Sequence, residues 1–206
     1  MSVTTETVID DTRIWLERAV IGLNLCPFAK SVHVKGQVHY VVSRAPTAQA
    51  LLQDLMVELK ALNDSDPQER DTTLLIAPDC LADFLDFNDF LADADQALVD
   101  LDLEGVLQIA NLHPDYQFAG TRVDDVTNFT NRSPYPTLHL LREDSIDRAV
   151  AAFPEAESIF ERNMETMERI GVPGWEALGV GRSSGCPHQA LATTSADAEP
   201  CGKKEA

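Results

Sequence analysis

Between residues 7 and 25 the apolar side chains recur at helical spacing. Ile14, Trp15, Leu16, Ala19, Val20 and Leu23 fall on one side, with Asp10, Asp11, Arg13, Glu17 and Arg18 largely on the other; this stripe predicts an amphipathic helix. The run "QVHYVVSR" (37–44) is β-branched and bounded by Gly36 and Pro46, so a strand is expected. Thr47 is placed to cap a helix whose apolar face is Leu51, Leu52, Leu55, Met56, Leu59 and Leu62. "TTLLIAP" (72–78) reads as a buried strand stopped by proline. Phe84, Phe87, Phe90, Leu91, Ala94, Leu98 and Leu101 predict one or two helices within 80–103. Two further strands follow at "GVLQIANL" (105–112) and "TLHLLRE" (137–143). Ser145 opens a short helix, and another spans 155–170 with Ile159, Phe160, Met164, Met167 and Ile170 inward.

Strands alternating with helices define an α/β fold: a single domain over residues 1–181 with a small, mostly parallel sheet of about four strands covered by helices. From about Arg182 onward the chain is Ser, Ala, Thr and charge without periodicity, so 182–206 is expected to be a disordered acidic and polar tail. One connection breaks the rhythm. Residues 113–136 are 24 in number and carry no periodic pattern. A compact domain seldom keeps so long an irregular loop unless it binds or catalyses something.

Composition narrows the partners. With 16 basic and 34 acidic residues the formal charge is −18, a surface that repels nucleic-acid phosphates and anionic membranes. The start, "MSVTTETVIDDTRIW", lacks the basic and apolar runs of a secretory signal, and no apolar stretch approaches the roughly 18 residues of a membrane span. Cys26, Cys80, Cys186 and Cys201 are scattered without a CxxC, as expected of free thiols in a reducing cytoplasm. From Asp79 to Glu104 there are nine acids and no base. They are spread along the helix rather than clustered, which favours a solvated face over a cation site.

The candidate chemistry begins at "NLCPFAK" (24–30). A residue before proline avoids the helical region, while proline suits the first helical position. Cys26 is therefore expected to cap a helix begun by Pro27 and closed by Gly36, where free amides and the helix dipole lower a thiol pKa. The competing reading is a small buried filler at a helix break. The long loop opens with "HPDYQFAG" (113–120) and closes with "NRSPYP" (131–136), whose prolines present Asn131, Arg132 and Tyr135 rigidly or merely stiffen the entry to an edge strand. Ligands in open α/β sheets sit beyond the carboxyl ends of the strands. If the fourth strand runs antiparallel, Cys26, His113 and Arg132 converge at that edge. Arg142, with Leu138 and Leu140 on its face, either clamps an anion or pairs with an acid.

Three long motifs, "WLERAVIGLNLCPFAK", "HPDYQFAG" and "DDVTNFTNRSPYPTLHLLREDSIDRAV", resemble those of the domain-of-unknown-function 1415 proteins over nearly the whole globular part. That resemblance implies no reaction, cofactor or catalytic residue. "CPFA" ahead of a helix is also similar to the active-site motif of omega-class glutathione transferases, although their thioredoxin-like fold needs a strand immediately before the cysteine.

Three functions follow as expectations. The first is a thiol-dependent enzyme on a small anionic metabolite, with Cys26 as nucleophile, His113 as general acid and base, and Tyr116, Asn131, Arg132, Tyr135 and Arg142 as substrate contacts. The second is a metal-binding protein using Cys26 with His33, His113 and His139, none of which forms a short ligand pair. The third is a binding or scaffold domain without catalysis. "GRSSG" (181–185) fits a nucleophile elbow as a string but lacks the strand before it and the helix after it.

Overall fold

The computed structural model describes residues 3–152 and 158–183. Helix α1 (Thr5–Trp15) is capped by Thr4, whose side chain accepts from the Thr7 amide, and runs on into a π-helical turn, Leu16–Ile21. The short α2 (Ala29–Val34) leads to strand β1 (Val38–Val42). Helix α3 (Ala48–Asp64) is capped by Thr47 as expected, and strand β2 (Thr72–Ile76) is buried along its whole length. Residues 80–103 hold one helix, α4 (Phe84–Asp100), capped by Asp83. Strand β3 (Leu107–Leu112) and strand β4 (Thr137–Arg142) flank the long loop. Helix α5 (Glu143–Ala151) starts directly where β4 ends, two residues before the expected Ser145. Helix α6 (Ile159–Ala177) is broken at Gly171, whose φ of 60° only glycine adopts freely, two residues ahead of Pro173.

The fold is α/β, with a four-stranded sheet in the order β1-β2-β4-β3. The sheet is mixed: β1 and β2 pair in parallel, and β4 is antiparallel to both β2 and β3. Three strands thus share one direction, and β4 fills the gap that the β2–α4–β3 crossover leaves between them. There its ladder satisfies backbone groups of both neighbours, which would be costly to bury unpaired. Register places Thr137 beside both Ile76 and Leu112. The long loop therefore leaves and re-enters the sheet at one edge, the carboxyl edge of β1, β2 and β3.

Alternation along the strands sends side chains to two helical layers. Leu75, Leu107, Leu138 and Leu140 join the α3 leucines and Phe87 and Phe90 of α4 in the larger core. On the other face Leu74, Ile76 and Tyr135 meet Val8 of α1. Trp15, Ala19, Val20, Leu25, Met167 and Trp175 continue that layer towards α6. The acids of α4 lie on its exposed side, a solvated face. Among the described residues no helix is long and apolar enough to cross a membrane.

Candidate functional site

The helix begun at Thr5 stops at Asn24 for a local reason. Asn24 takes the left-handed conformation, φ 57°, while the Leu25 amide donates back to the Val20 carbonyl (2.8 Å) and the Asn24 amide to that of Ile21 (3.1 Å). This double bond is a Schellman stop, with Leu25 and Val20 in the apolar contact that accompanies it. Cys26 and Pro27 then form a turn in which the Ala29 amide donates to the Cys26 carbonyl (3.2 Å), and α2 begins only at Ala29. The cap position belongs to Phe28, not to Cys26, because one turn of chain is needed to recover from the stop. Gly36, φ 71°, does close α2. Burial pushes the Cys26 thiol up from its ordinary pKa, and the Phe28 and Ala29 amides only partly oppose it. The element before Cys26 is a helix, so the thioredoxin-like arrangement has no counterpart here.

His113 is fully buried, its ring packed on Phe84 and Phe87 with centroids 5.4 and 5.2 Å away. Its Nδ1 accepts from the Asp115 amide (3.0 Å), which leaves Nε2–H to donate to the Leu81 carbonyl (3.1 Å). Both ring nitrogens are thereby committed, and burial lowers the pKa. His113 pins the start of the long loop to α4 and has no nitrogen left for proton transfer.

Other side chains wire the loop internally. Asn128, fully buried, accepts from the Phe118 amide (3.0 Å) and the Thr121 hydroxyl (2.8 Å) and donates to the Arg122 carbonyl (2.8 Å). Asp125 caps a 3-10 helix, Val126–Asn131, through the Thr127 amide (2.9 Å). Asn131 is used inward: its carbonyl takes the His113 amide (3.2 Å), and its side chain hydrogen-bonds Tyr116. Tyr116 itself meets Phe84 at a tilt and Phe118 edge-on. Tyr135 is buried, and its hydroxyl donates to the Asp11 carboxylate (2.7 Å); burial first, and then the Asp11 bond and charge, raise the phenol pKa. Because β4 is a central strand, Pro134 and Pro136 stiffen the entry to the sheet's interior rather than to its edge.

Arg142 lies at the opposite end of β4. It donates to the carbonyls of Leu62 (2.5 Å), Ser65 (2.8 Å) and Arg70 (3.3 Å), closing the carboxyl end of α3. Its face was legible, but its hydrogen-bond partners among the described residues are backbone carbonyls and the Ser65 hydroxyl, neither an anion nor an acid. His139 donates to Thr72, whose hydroxyl is in turn donated to the Leu140 carbonyl, and His33 sits 3.4 Å from Glu17. Among the described residues no group of three His, Cys, Asp or Glu side chains is arranged to hold a metal ion. Cys26 and Cys80 are free thiols; Cys186, Cys201 and the rest of the tail beyond Ser183 lie outside the described residues.

What the loop does build is one wall of an open cleft of about 380 Å3, lined by Trp15, Phe129 and Trp175 on the aromatic side and by Asp115, Arg132, Ser133, Pro134 and Arg182 among others. Cys26 and His113 are not in that lining. Cys26 packs against the apolar cluster that includes Trp15, Ala19 and Met167. Arg132 lies over the Phe129 ring (4.4 Å), its Nε donating to the Tyr116 carbonyl (3.2 Å) and one amino group to that of Val123 (2.8 Å). Arg182 lies over the Tyr135 ring (5.0 Å), and its Nε donates to the Pro134 carbonyl (2.7 Å). Neither forms an ion pair with a described carboxylate. The Trp15 indole N–H is shut off from water and has no hydrogen-bond partner among the described residues, an orphan donor of the kind that costs about 1–3 kcal/mol.

Arg182 escaped the sequence reading because it opens the polar tail. The available signal was the glycine-rich "GVPGWEALGVGR" (171–182): Gly171, Gly179 and Gly181 all take positive φ. Those turns bring Trp175 to the cleft. They also carry Ser183 to Asp11, where the Ser183 amide donates at 2.9 Å.

The molecule is thus an α/β domain with an arginine-bearing cleft at the carboxyl edge of its sheet. The family described as protein of unknown function (DUF1415) matches residues 7–177, and the chain belongs to it. Comparison with curated proteins and with solved structures finds no match. The family segment covers the long loop and Trp175; Arg182 stands five residues beyond it.

Proposed function

We propose that the cleft binds a small anionic metabolite, held by Arg132 and Arg182, and that the protein does so in the cytoplasm. The observation that supports this is the placement in one cleft of two guanidiniums that have no carboxylate partner among the described residues, in a chain carrying 34 acids. Arg13, Arg44, Arg70 and Arg122 pair with acids. These two are instead fixed on aromatic faces and backbone carbonyls. Among the described residues Arg182 has no acceptor for either amino group, and Arg132 has none for one of its two. That leaves a planar fork suited to an oxyanion.

Retention of a ligand fits the lining better than covalent chemistry. The Ser133 hydroxyl is spent on the Tyr135 carbonyl (2.6 Å), and the Cys26 thiol is elsewhere. The test is a thermal-shift panel of small carboxylates and phosphates on the wild type and on Arg182→Gln. A binder should raise Tm in the wild type in proportion to the logarithm of its concentration over Kd. Loss of one charged contact should weaken its Kd by at least about tenfold in the variant. A panel without a single stabilising anion, or a variant that binds as the wild type does, overturns the proposal.

A further inference from the structure

Resting on the anion reading above, we infer that the ligand is an aryl monocarboxylate: one carboxylate on an aromatic ring. Three properties of the cleft point the same way. The first is its wall. Trp15, Phe129 and Trp175 form an aromatic surface, with the Phe129 and Trp175 centroids 5.2 Å apart and their planes tilted by 50°. Two such tilted faces receive a flat ring in offset or edge contact, the arrangements that aromatic quadrupoles prefer. A bare inorganic anion would leave that apolar surface wet.

The second property is charge. Arg132 and Arg182 bring two positive charges to the lining and Asp115 one negative; Asp115 is close enough to act on Arg132 electrostatically. The lining therefore carries one net positive charge, which one carboxylate neutralises. A phosphate dianion or a dicarboxylate brings a second charge that meets Asp115 and the field of a chain at −18. The third is size. About 380 Å3 lies near the small end of the roughly 300–1,000 Å3 of ligand pockets, room for a ring or two with a short acid arm.

The chain carries two tryptophans, and both line the cleft, so their emission reports occupancy without a label. The experiment titrates the full chain with phenylacetate, acetate, phenylacetamide, inorganic phosphate and phenyl phosphate at neutral pH. Phenylacetate should perturb the emission and bind at least about tenfold more tightly than acetate or inorganic phosphate, through its buried ring. It should exceed phenylacetamide by a similar factor, through its charge. Asp115→Asn should shift the preference towards phenyl phosphate; the bond that ties this position to His113 comes from the Asp115 amide, which the variant keeps.

Acetate or inorganic phosphate binding as tightly as phenylacetate would overturn the aryl inference and leave the anion reading standing. Phenylacetamide binding as tightly as phenylacetate would overturn both. So would a set of probes none of which changes the emission.

Discussion

At Cys26 two effects oppose each other on a single sulfur. The amides of Phe28 and Ala29 face it and favour the thiolate, as a cap position was expected to provide. Desolvation by burial disfavours the charged form, and it is the larger effect. The motif "NLCPFAK" made the amides legible; nothing local in it announced the neighbours that bury the thiol. Site-resolved alkylation of the folded chain by iodoacetamide should therefore rise only at pH values above the ordinary thiol midpoint of about 8.5. A midpoint below about 8 would restore the reactive thiol. His113 teaches the same lesson. A histidine opening a long loop is a fair catalytic candidate until both its nitrogens are seen to be bonded.

Elements were the most legible scale, because periodicity and capping act over a few neighbouring residues. Thr47 caps α3, Gly36 closes α2, and the four strands fall within two residues of their expected ends. What period analysis could not supply was the π-helical turn at Leu16–Ile21 and the stop at Asn24. The left-handed Asn24 gives a direct test. Asn24→Ala keeps the Cβ but removes the carboxamide that lets asparagine tolerate the left-handed conformation, and should cost about 1 kcal/mol of unfolding free energy in urea. Asn24→Gly should be neutral or slightly stabilising. If alanine proved as stable as glycine there, the stop would not be a left-handed cap. Helix α6 shows where such rules run out. Gly171 and Pro173 predict a break, but not that Trp175 beyond it would swing into a cleft wall.

For the whole molecule, the joint between β2 and β4 sets an acid limit. His139 lies in the central strand, neutral, with Nε2–H donated to Thr72, and burial pushes its pKa down to about 4. An unfolded histidine titrates near 6.5. Between those values the unfolded chain binds more protons than the folded one, so stability rises with pH across this window. It is fully present above about 6.5 and is lost as pH falls towards 4, by on the order of 2 kcal/mol. Carboxylates titrate in the lower part of the window too, so the measure is a difference. Wild type and His139→Gln should have converging unfolding free energies as pH drops from 7 to 4. Parallel curves would show that His139 is not depressed.

The sequence by itself determined the α/β class, the order of helices and strands, the long loop as the unusual segment and the family. All of these rest on side-chain period, turn residues and contiguous motifs, which neighbouring residues decide. The antiparallel entry of β4, on which convergence at the sheet edge depended, was a condition that only the packing of strands could meet. Tertiary structure alone decided which residues share the cleft. It left Cys26 and His113 out of the lining, sent Arg142 to the far edge, and brought Arg182 from beyond the family segment to join Arg132. The physical reason is that burial and pairing are properties of residues far apart in the chain. Whether an arginine finds an acid, a carbonyl or an open cleft is set by what folds against it.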